Sequence, residues 1–275
     1  MIKHRAFLKW AGGKYRLMNS IQRLLPEADR LVEPFIGAGS VFLNTDYPEY
    51  LLCDINQDLI NLYKILQTQP DEYITQARRF FDASNNVQEV YLRHRKAFND
   101  AQNPFQRSLY FLYLNRFGYN GLCRYNQSGI FNVPFGRYKK PYFPEKELWF
   151  FAEKAQRATF ICTDYRQVFT CLRPGDAVYC DPPYVPLSHT ANFTSYAKNV
   201  FDLDDQATLA GLARESASQL KIPILMSNHD TVLVRELYRG AILHTVQVQR
   251  QISRSGSKRF KVSELFALYD TENSG

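Results

Sequence analysis

Two hydrophobic rhythms run along this chain. Short apolar runs occur at Arg30–Phe35, Leu51–Asp54, Thr159–Cys162, Ala177–Cys180 and Pro223–Met226, and each reads as a buried strand. Glycines follow the first strand, and a helix is predicted from Ser40 onwards. Asp58–Gln67 sets Leu59, Leu62, Tyr63 and Leu66 at helical spacing. This strand–helix–strand opening predicts a parallel sheet with right-handed crossovers. Residues 70–115 are mainly helical, with Leu109, Leu112 and Tyr113 at apolar positions. From 116 to 145 the rhythm is lost. Gly118, Gly121, Gly129, Gly136, Pro134, Pro141 and Pro144 interrupt any long element, which predicts loops and a small hairpin. Near the end, Leu243–Ile252 alternates, Ser255-Gly256-Ser257 offers a turn, and Val262–Tyr269 returns as an antiparallel strand. The expectation is an α/β fold whose sheet is mostly parallel, with one antiparallel strand near the C-terminus. Residues 1–65 and 146–275 form its core, and a helical and loop-rich insertion occupies 66–145.

Composition narrows the class. The 275 residues are 45% hydrophobic and 22% charged, which suits a globular core, and no repeat suggests a solenoid. Met1–Arg5 leads into no apolar segment and no run reaches a membrane-spanning length, so neither a secretory signal nor a membrane span is expected. Cys53, Cys123, Cys162, Cys171 and Cys180 are widely spaced without a CxxC pair, which argues against zinc or a disulfide framework and for a reducing cytoplasm. The net charge is +7, and its placement says more than its size. Ala101–Pro144 holds no Asp or Glu, but carries Arg107, Arg116, Arg124, Arg137, Lys139 and Lys140 with twelve of the forty aromatics. Cations interleaved with aromatics and amides suit a polyanion whose bases are also touched. The alternative is a solvated basic face beside an aromatic core. A second acid-free stretch, Leu237–Ser263, carries Arg239, Arg250, Arg254, Lys258, Arg259 and Lys261.

Two motifs bear chemistry. Glu33-Pro34-Phe35-Ile36-Gly37-Ala38-Gly39-Ser40 falls at a strand-to-helix turn, where glycines let a ligand approach the backbone. Asp54 ends the next strand, where an acid can accept from both ribose hydroxyls. Phe42 stands where a dinucleotide fingerprint wants a third glycine, so a nucleoside-type ligand fits better than a pyrophosphate. A tight turn with Asp54 as a cap is the plainer reading. Asp181-Pro182-Pro183-Tyr184 follows an apolar strand, at the ligand-binding end of an open α/β sheet. The prolines present carbonyls rather than N–H groups. A carboxylate, a proline carbonyl and an aromatic face together suit an exocyclic amine: both its hydrogens are bound and its ring is stacked.

With the glycine motif first and DPPY later, the chain resembles the Dam-type DNA adenine-N6 methyltransferases. The resemblance runs from Arg5-Ala6-Phe7-Leu8-Lys9-Trp10-Ala11-Gly12-Gly13-Lys14 to the terminal strand. It includes Tyr113–Asn126 and Phe131–Tyr138, and the motifs show no departure. It implies a Rossmann-like S-adenosylmethionine-dependent methyltransferase sheet, an inserted DNA target recognition domain, and double-stranded DNA as partner, with S-adenosylhomocysteine as product. No metal and no obligate protein partner are implied, and the location is cytoplasmic, on the nucleoid.

The resemblance also assigns residues. Trp10 and Lys14 hold the methionine end of the cofactor, with Lys14 near its carboxylate. Phe35, Gly37, Ala38, Gly39 and Ser40 form the cofactor loop. Asp54 holds the ribose and Ile55 meets the adenine, with Asp164 and Tyr165 on its other side. Asp181, which also borders the cofactor, and the Pro182 carbonyl grip the target amine of a flipped adenine, and Tyr184 stacks on it. Tyr119 enters the base stack and Arg124 reads a guanine edge, while Lys9 contacts the outer guanine of GATC. Leu122 and Pro134 meet thymine methyls. Asn120, Asn126, Asn132, Arg137 and Lys139 face phosphates or base edges. Three neighbouring substrates stay open: another adenine context, a structured RNA, or cytosine-N4, against which Asp181 in place of Asn leans. A binding protein that has lost its chemistry is the reading from another class, and intact Trp10, Lys14, Asp54, Asp181 and Tyr184 oppose it.

Overall fold

The computed structural model describes residues 3–184, 201–249 and 261–270. A seven-stranded sheet forms the core, made of β1 (Arg30–Glu33), β2 (Glu49–Asp54), β3 (Ala158–Cys162), β4 (Asp176–Cys180), β5 (Ile224–His229), β6 (Ile242–Gln249) and β7 (Lys261–Tyr269). Their order is β3-β2-β1-β4-β5-β7-β6. The first five run parallel, and β7 inserts antiparallel between β5 and β6. The mixed α/β fold and the late antiparallel strand are those read from the sequence. The turn expected at Ser255–Ser257 lies outside the described residues, as do Arg250, Arg254, Lys258 and Arg259.

The nine helices among the described residues are α1 (Met18–Leu24), α2 (Gln57–Thr68), α3 (Pro70–Arg78), α4 (Gln88–Asp100), α5 (Pro104–Phe117), α6 (Glu145–Lys154), α7 (Tyr165–Phe169), α8 (Leu203–Leu220) and α9 (Val232–Leu237). Strands buried on both faces read as near-continuous apolar runs, and β4 and β5 are buried throughout, with polar residues only at their ends. Their alternate residues divide between two cores. Ala177, Tyr179 and Leu225 face α2, α5 and α6, whereas Val178, Cys180, Ile224 and Met226 face α7, α8 and α9. No helix among the described residues is long and apolar enough to cross a membrane.

The helix expected from Ser40 does not form; only a 3-10 turn at Phe42–Asn44 is present. Local side chains take the carbonyls that would propagate it. Asn44 Nδ2 donates to Ser40 O at 2.8 Å and Thr45 Oγ1 to Val41 O at 2.9 Å. Pro48 then disfavours a helical Tyr47.

The insertion is continuous with the core. α5, opened by the Asn103 cap and Pro104, packs its apolar residues into the same cluster as α2 and α6. An ion pair ties it to α2, with Arg107 Nη2 donating to Asp58 Oδ2 at 3.1 Å. Between α5 and α6, the expected hairpin reduces to two isolated bridges, Gly118 with Phe135 and Tyr125 with Phe131. A 3-10 turn at Tyr119–Gly121 lies between Gly118 and Tyr125.

Candidate active site

Parallel register brings the C-terminal ends of β1, β2, β4 and β5 to one edge. Val32 pairs with both Leu51 and Val178, and Val178 with Ile224. The connections run outward in both directions from β1 and β4, so the crevice opens beside those strands. A cavity of about 1020 Å³ lies there, lined by both sequence motifs. That is the upper end of the ~300–1,000 Å³ typical of ligand pockets.

Residues of the glycine motif form one end. Gly37 and Gly39 have φ of 48° and 73°, in the left-handed region. A Cβ at Gly37 would also stand 3.0 Å from Trp10 Nε1, so the indole lies directly over this turn. Gly37 N donates to Asp54 Oδ2 at 3.1 Å and Asn56 N to Oδ1 at 2.9 Å. Burial raises the Asp54 pKa, and these N–H groups pull it back. Ile55 projects at the mouth, 56% exposed, and Phe35 packs beside Tyr165 and Phe201 with ring centroids 5.6 Å away. Ala38 and Ser40 line the cavity with them. Asp164 lines it too, but its carboxylate caps α7 by accepting from Arg166 N at 2.9 Å, and it pairs with the Arg166 guanidinium.

At the other end stands Asp181. Lys14 Nζ lies 2.8 Å from its Oδ1, with side-chain exposures of 5% and 19%. Ser227 Oγ donates to the same oxygen at 2.9 Å. Burial raises the Asp181 pKa, and Lys14 opposes that rise. Gln206 Nε2, from α8, holds the Pro183 carbonyl at 2.6 Å. Asp181 Oδ2 and the Pro182 carbonyl are left without a hydrogen-bond partner among the described residues. The Tyr184 ring meets His229 edge-on at 4.5 Å and has Lys14 Nζ 4.5 Å from its centroid. Glu33 is buried between the two ends. Its pKa is pushed well up by desolvation, and its Oε1 has no hydrogen-bond partner among the described residues.

The insertion supplies a third wall, through Cys123, Arg124 and Tyr125. Arg124 Nε donates to Asn132 Oδ1 at 2.7 Å, so Asn132 aims this guanidinium. Asn126 closes its own turn, its Oδ1 accepting from Ser128 N at 3.0 Å and Ile130 N at 2.9 Å. Lys9 reaches the insertion from the N-terminal segment. Asn115 binds its backbone on both sides, at 2.9 Å and 2.7 Å, and also the Gly121 carbonyl at 3.2 Å. Lys9 Nζ sits 3.7 Å from the Tyr138 ring centroid, and burial followed by Arg116 lowers its pKa to about 8. Tyr119 is 50% exposed beside Asn120, whose φ is 53°. Leu122 is half-buried, and Pro134, Arg137 and Lys139 are exposed. Two of the six cations in this stretch serve structure instead. Arg107 pairs with Asp58, and Arg116 donates to the Tyr142 and Phe7 carbonyls at 3.1 Å and 3.3 Å.

Glu33, Tyr179, Phe201 and His229 line the cavity and Ser227 backs Asp181, and none stood out in the sequence as a site residue. No group of three or more His, Cys, Asp or Glu side chains among the described residues is placed to hold a metal ion.

Residues 10–252 match the family described as D12 class N6 adenine-specific DNA methyltransferase. Relatives described as DNA adenine methylase include one from Vibrio cholerae serotype O1, 63% identical over 269 residues, covering 98% of this chain and 97% of that protein. The Escherichia coli K12 relative is 59% identical, with 98% and 96% covered. That of Serratia marcescens is 57% identical over 270 residues, with 98% and 100% covered. Likeness of this degree, end to end and across both motifs, makes the chain a member of the D12 class of adenine-N6 DNA methyltransferases.

Proposed function

We propose that this enzyme methylates N6 of adenine in GATC duplexes, using S-adenosylmethionine and a target base turned out of the helix. The carrying observation is a pair of acceptors in the DPPY turn that have no hydrogen-bond partner among the described residues. With Oδ1 of Asp181 and the Pro183 carbonyl already engaged, Oδ2 and the Pro182 carbonyl remain for the two N6 hydrogens. The neutral amine is a weak nucleophile because its lone pair is delocalised into the ring. Accepting from both hydrogens favours a pyramidal nitrogen and fixes its direction of attack. Asp181 acts as acceptor and positioner, and Tyr184 supplies an aromatic face for the base.

The opposite end suits an amino-acid nucleoside. Glu33, with one oxygen unpartnered, fits an ammonium, and Lys14 fits a carboxylate. Asp54 suits ribose hydroxyls, and exposed Ile55 with Phe35 and Tyr165 suits an adenine ring. Trp10, Gly37, Ala38, Gly39 and Ser40 complete this wall. S-adenosylmethionine, when bound there, supplies an electrophilic methyl group on a sulfonium and leaves as S-adenosylhomocysteine.

Residues 66–145 are assigned to target recognition. Arg124, aimed by Asn132, reads a guanine, Lys9 reads the outer guanine, and Tyr119 fills the space the flipped base leaves. Asn120, Leu122, Asn126, Pro134, Arg137 and Lys139 contact base edges, thymine methyls or phosphates. The test is Asp181→Ala with a GATC duplex carrying 2-aminopurine at the target adenine. Methyl transfer to the natural duplex should vanish, while duplex binding and the fluorescence rise on flipping survive. Retained transfer rejects the grip, and the absence of any fluorescence rise, including with the unsubstituted enzyme, rejects flipping.

A further inference from the structure

We propose that Tyr179 and Ser227 form a buried positioning relay that aims the Asp181 carboxylate, with the Tyr179 hydroxyl donating to Ser227 and Ser227 donating to Asp181 Oδ1. The proposal rests on the reading of Asp181 as the acceptor for the target amine.

The relay spans two neighbouring parallel strands. Cys180 pairs with Met226, so Tyr179, Asp181 and Ser227 meet at the C-terminal ends of β4 and β5. Ser227 Oγ is 3.0 Å from the Tyr179 hydroxyl and 2.9 Å from Asp181 Oδ1. Its contact with the Cys180 carbonyl is longer, at 3.4 Å. A serine has one proton to give, and an ionised carboxylate can only accept. Ser227 therefore donates to Asp181, and Tyr179 donates to Ser227. The Tyr184 hydroxyl also approaches Ser227 but makes no hydrogen bond of normal geometry.

Burial says why this matters. Ser227 is 0% and Tyr179 2% exposed, beside the buried apolar residues Val178, Cys180, Leu225 and Met226 of the same two strands. A hydroxyl in such a place is costly unless bonded, and each of these two is the other's partner. An unrestrained carboxylate turns about its terminal torsion and offers either oxygen. Ser227 and Lys14 both bind Oδ1, which stops that rotation and commits Oδ2 to the substrate. Lys14 is shared with the Gly12 carbonyl, which accepts from its Nζ at 2.8 Å, and has a second assignment at the cofactor carboxylate. Ser227 is short and held by the sheet, and it binds Oδ1 independently of Lys14.

Several other groups act on Asp181: Lys14 from the N-terminal segment, Glu33 on β1, Cys180 on β4, Glu264 on β7, and the Tyr184 and Tyr238 phenols. Removing the Ser227 donor withdraws one stabiliser of the ionised form from a site already dominated by burial. The Asp181 pKa then rises, and the acidic limb of the rate profile moves to higher pH.

The test is single-turnover methyl transfer to a GATC duplex from pH 5.5 to 9 with Ser227→Ala, Tyr179→Phe and Asp181→Ala, alongside duplex affinity and thermal unfolding. Ser227→Ala should slow transfer about tenfold or more, as expected for losing a hydrogen bond to a charged group, with duplex affinity within about twofold. Its acidic limb should move up by about half a pH unit or more. Tyr179→Phe should shift both in the same direction by less, and it decides the matter should Ser227→Ala not fold. Normal rates and unmoved limbs in both variants, with Asp181→Ala inactive, reject the relay alone. Activity in Asp181→Ala rejects the grip on which it rests.

Discussion

Lys14→Met removes an ammonium 2.8 Å from Asp181 Oδ1, where the two side chains are 5% and 19% exposed. At an effective dielectric of ~20, two unit charges at that distance attract by about 6 kcal/mol. The variant also escapes the cost of desolvating the ammonium, and breaking buried pairs costs about 3–5 kcal/mol overall. Asp181 has one retreat, which is to take up a proton, and burial already raises its pKa. Each pH unit below the folded pKa relieves about 1.4 kcal/mol. A carboxyl with a raised folded pKa adds stability below its unfolded value of about 3.9, and this fades as pH climbs through the folded value. Lys14→Met raises the folded value further, so its deficit grows with pH. We expect a loss of about 3 kcal/mol at pH 8, or roughly 6–12 °C in Tm, and less than half of that at pH 5. Thermal unfolding of Lys14→Met, Asp181→Asn and the double variant at pH 5, 6.5 and 8 measures it. Equal losses at pH 5 and pH 8, or a loss undiminished in the Asp181→Asn background, would show that the two side chains are not coupled.

Arg124→Ala should relax discrimination at one guanine by about 1–3 kcal/mol, read from turnover on duplexes substituted at each position; a uniform loss with a shallower salt dependence would make Arg124 a phosphate contact instead. Gly121→Ala should lower stability by about 1–2 kcal/mol for its backbone conformation alone, since its φ is 63°. Its new Cβ would lie 2.2 Å from Lys9 Cβ, so preference for the outer guanine should fall as well, and unchanged unfolding and preference would contradict this packing.

Strands were legible because buried parallel strands show as unbroken apolar runs, and the C-terminal ends of two of them disclosed Asp54 and Asp181. The same rule applied to β5 leads to Ser227, Asn228 and His229, three polar residues ending an apolar run. They pass unnoticed because serine and asparagine at a strand end also read as turn formers. Glu33 hid inside the glycine motif, where attention falls on backbone conformation. Tyr179 sits inside the apolar run of β4, and nothing in a sequence separates a phenol that packs from one that donates. The helix expected after Ser40 failed because Asn44 and Thr45 bond back to the preceding turn, a tertiary-assisted competition that periodicity does not register. Charge counting overstated the basic face of the insertion, since Arg107 and Arg116 turn inward to Asp58 and to backbone carbonyls.

Methylation of adenine N6 at GATC is tested by transfer of labelled methyl groups from S-adenosylmethionine to two short duplexes, one containing GATC and one with the same bases as GTAC. Labelling of the GATC duplex alone, on adenine N6, is the predicted result. Equal labelling of both would contradict the assigned recognition, and labelling of neither by folded enzyme would contradict the assigned donor or the assigned DNA site.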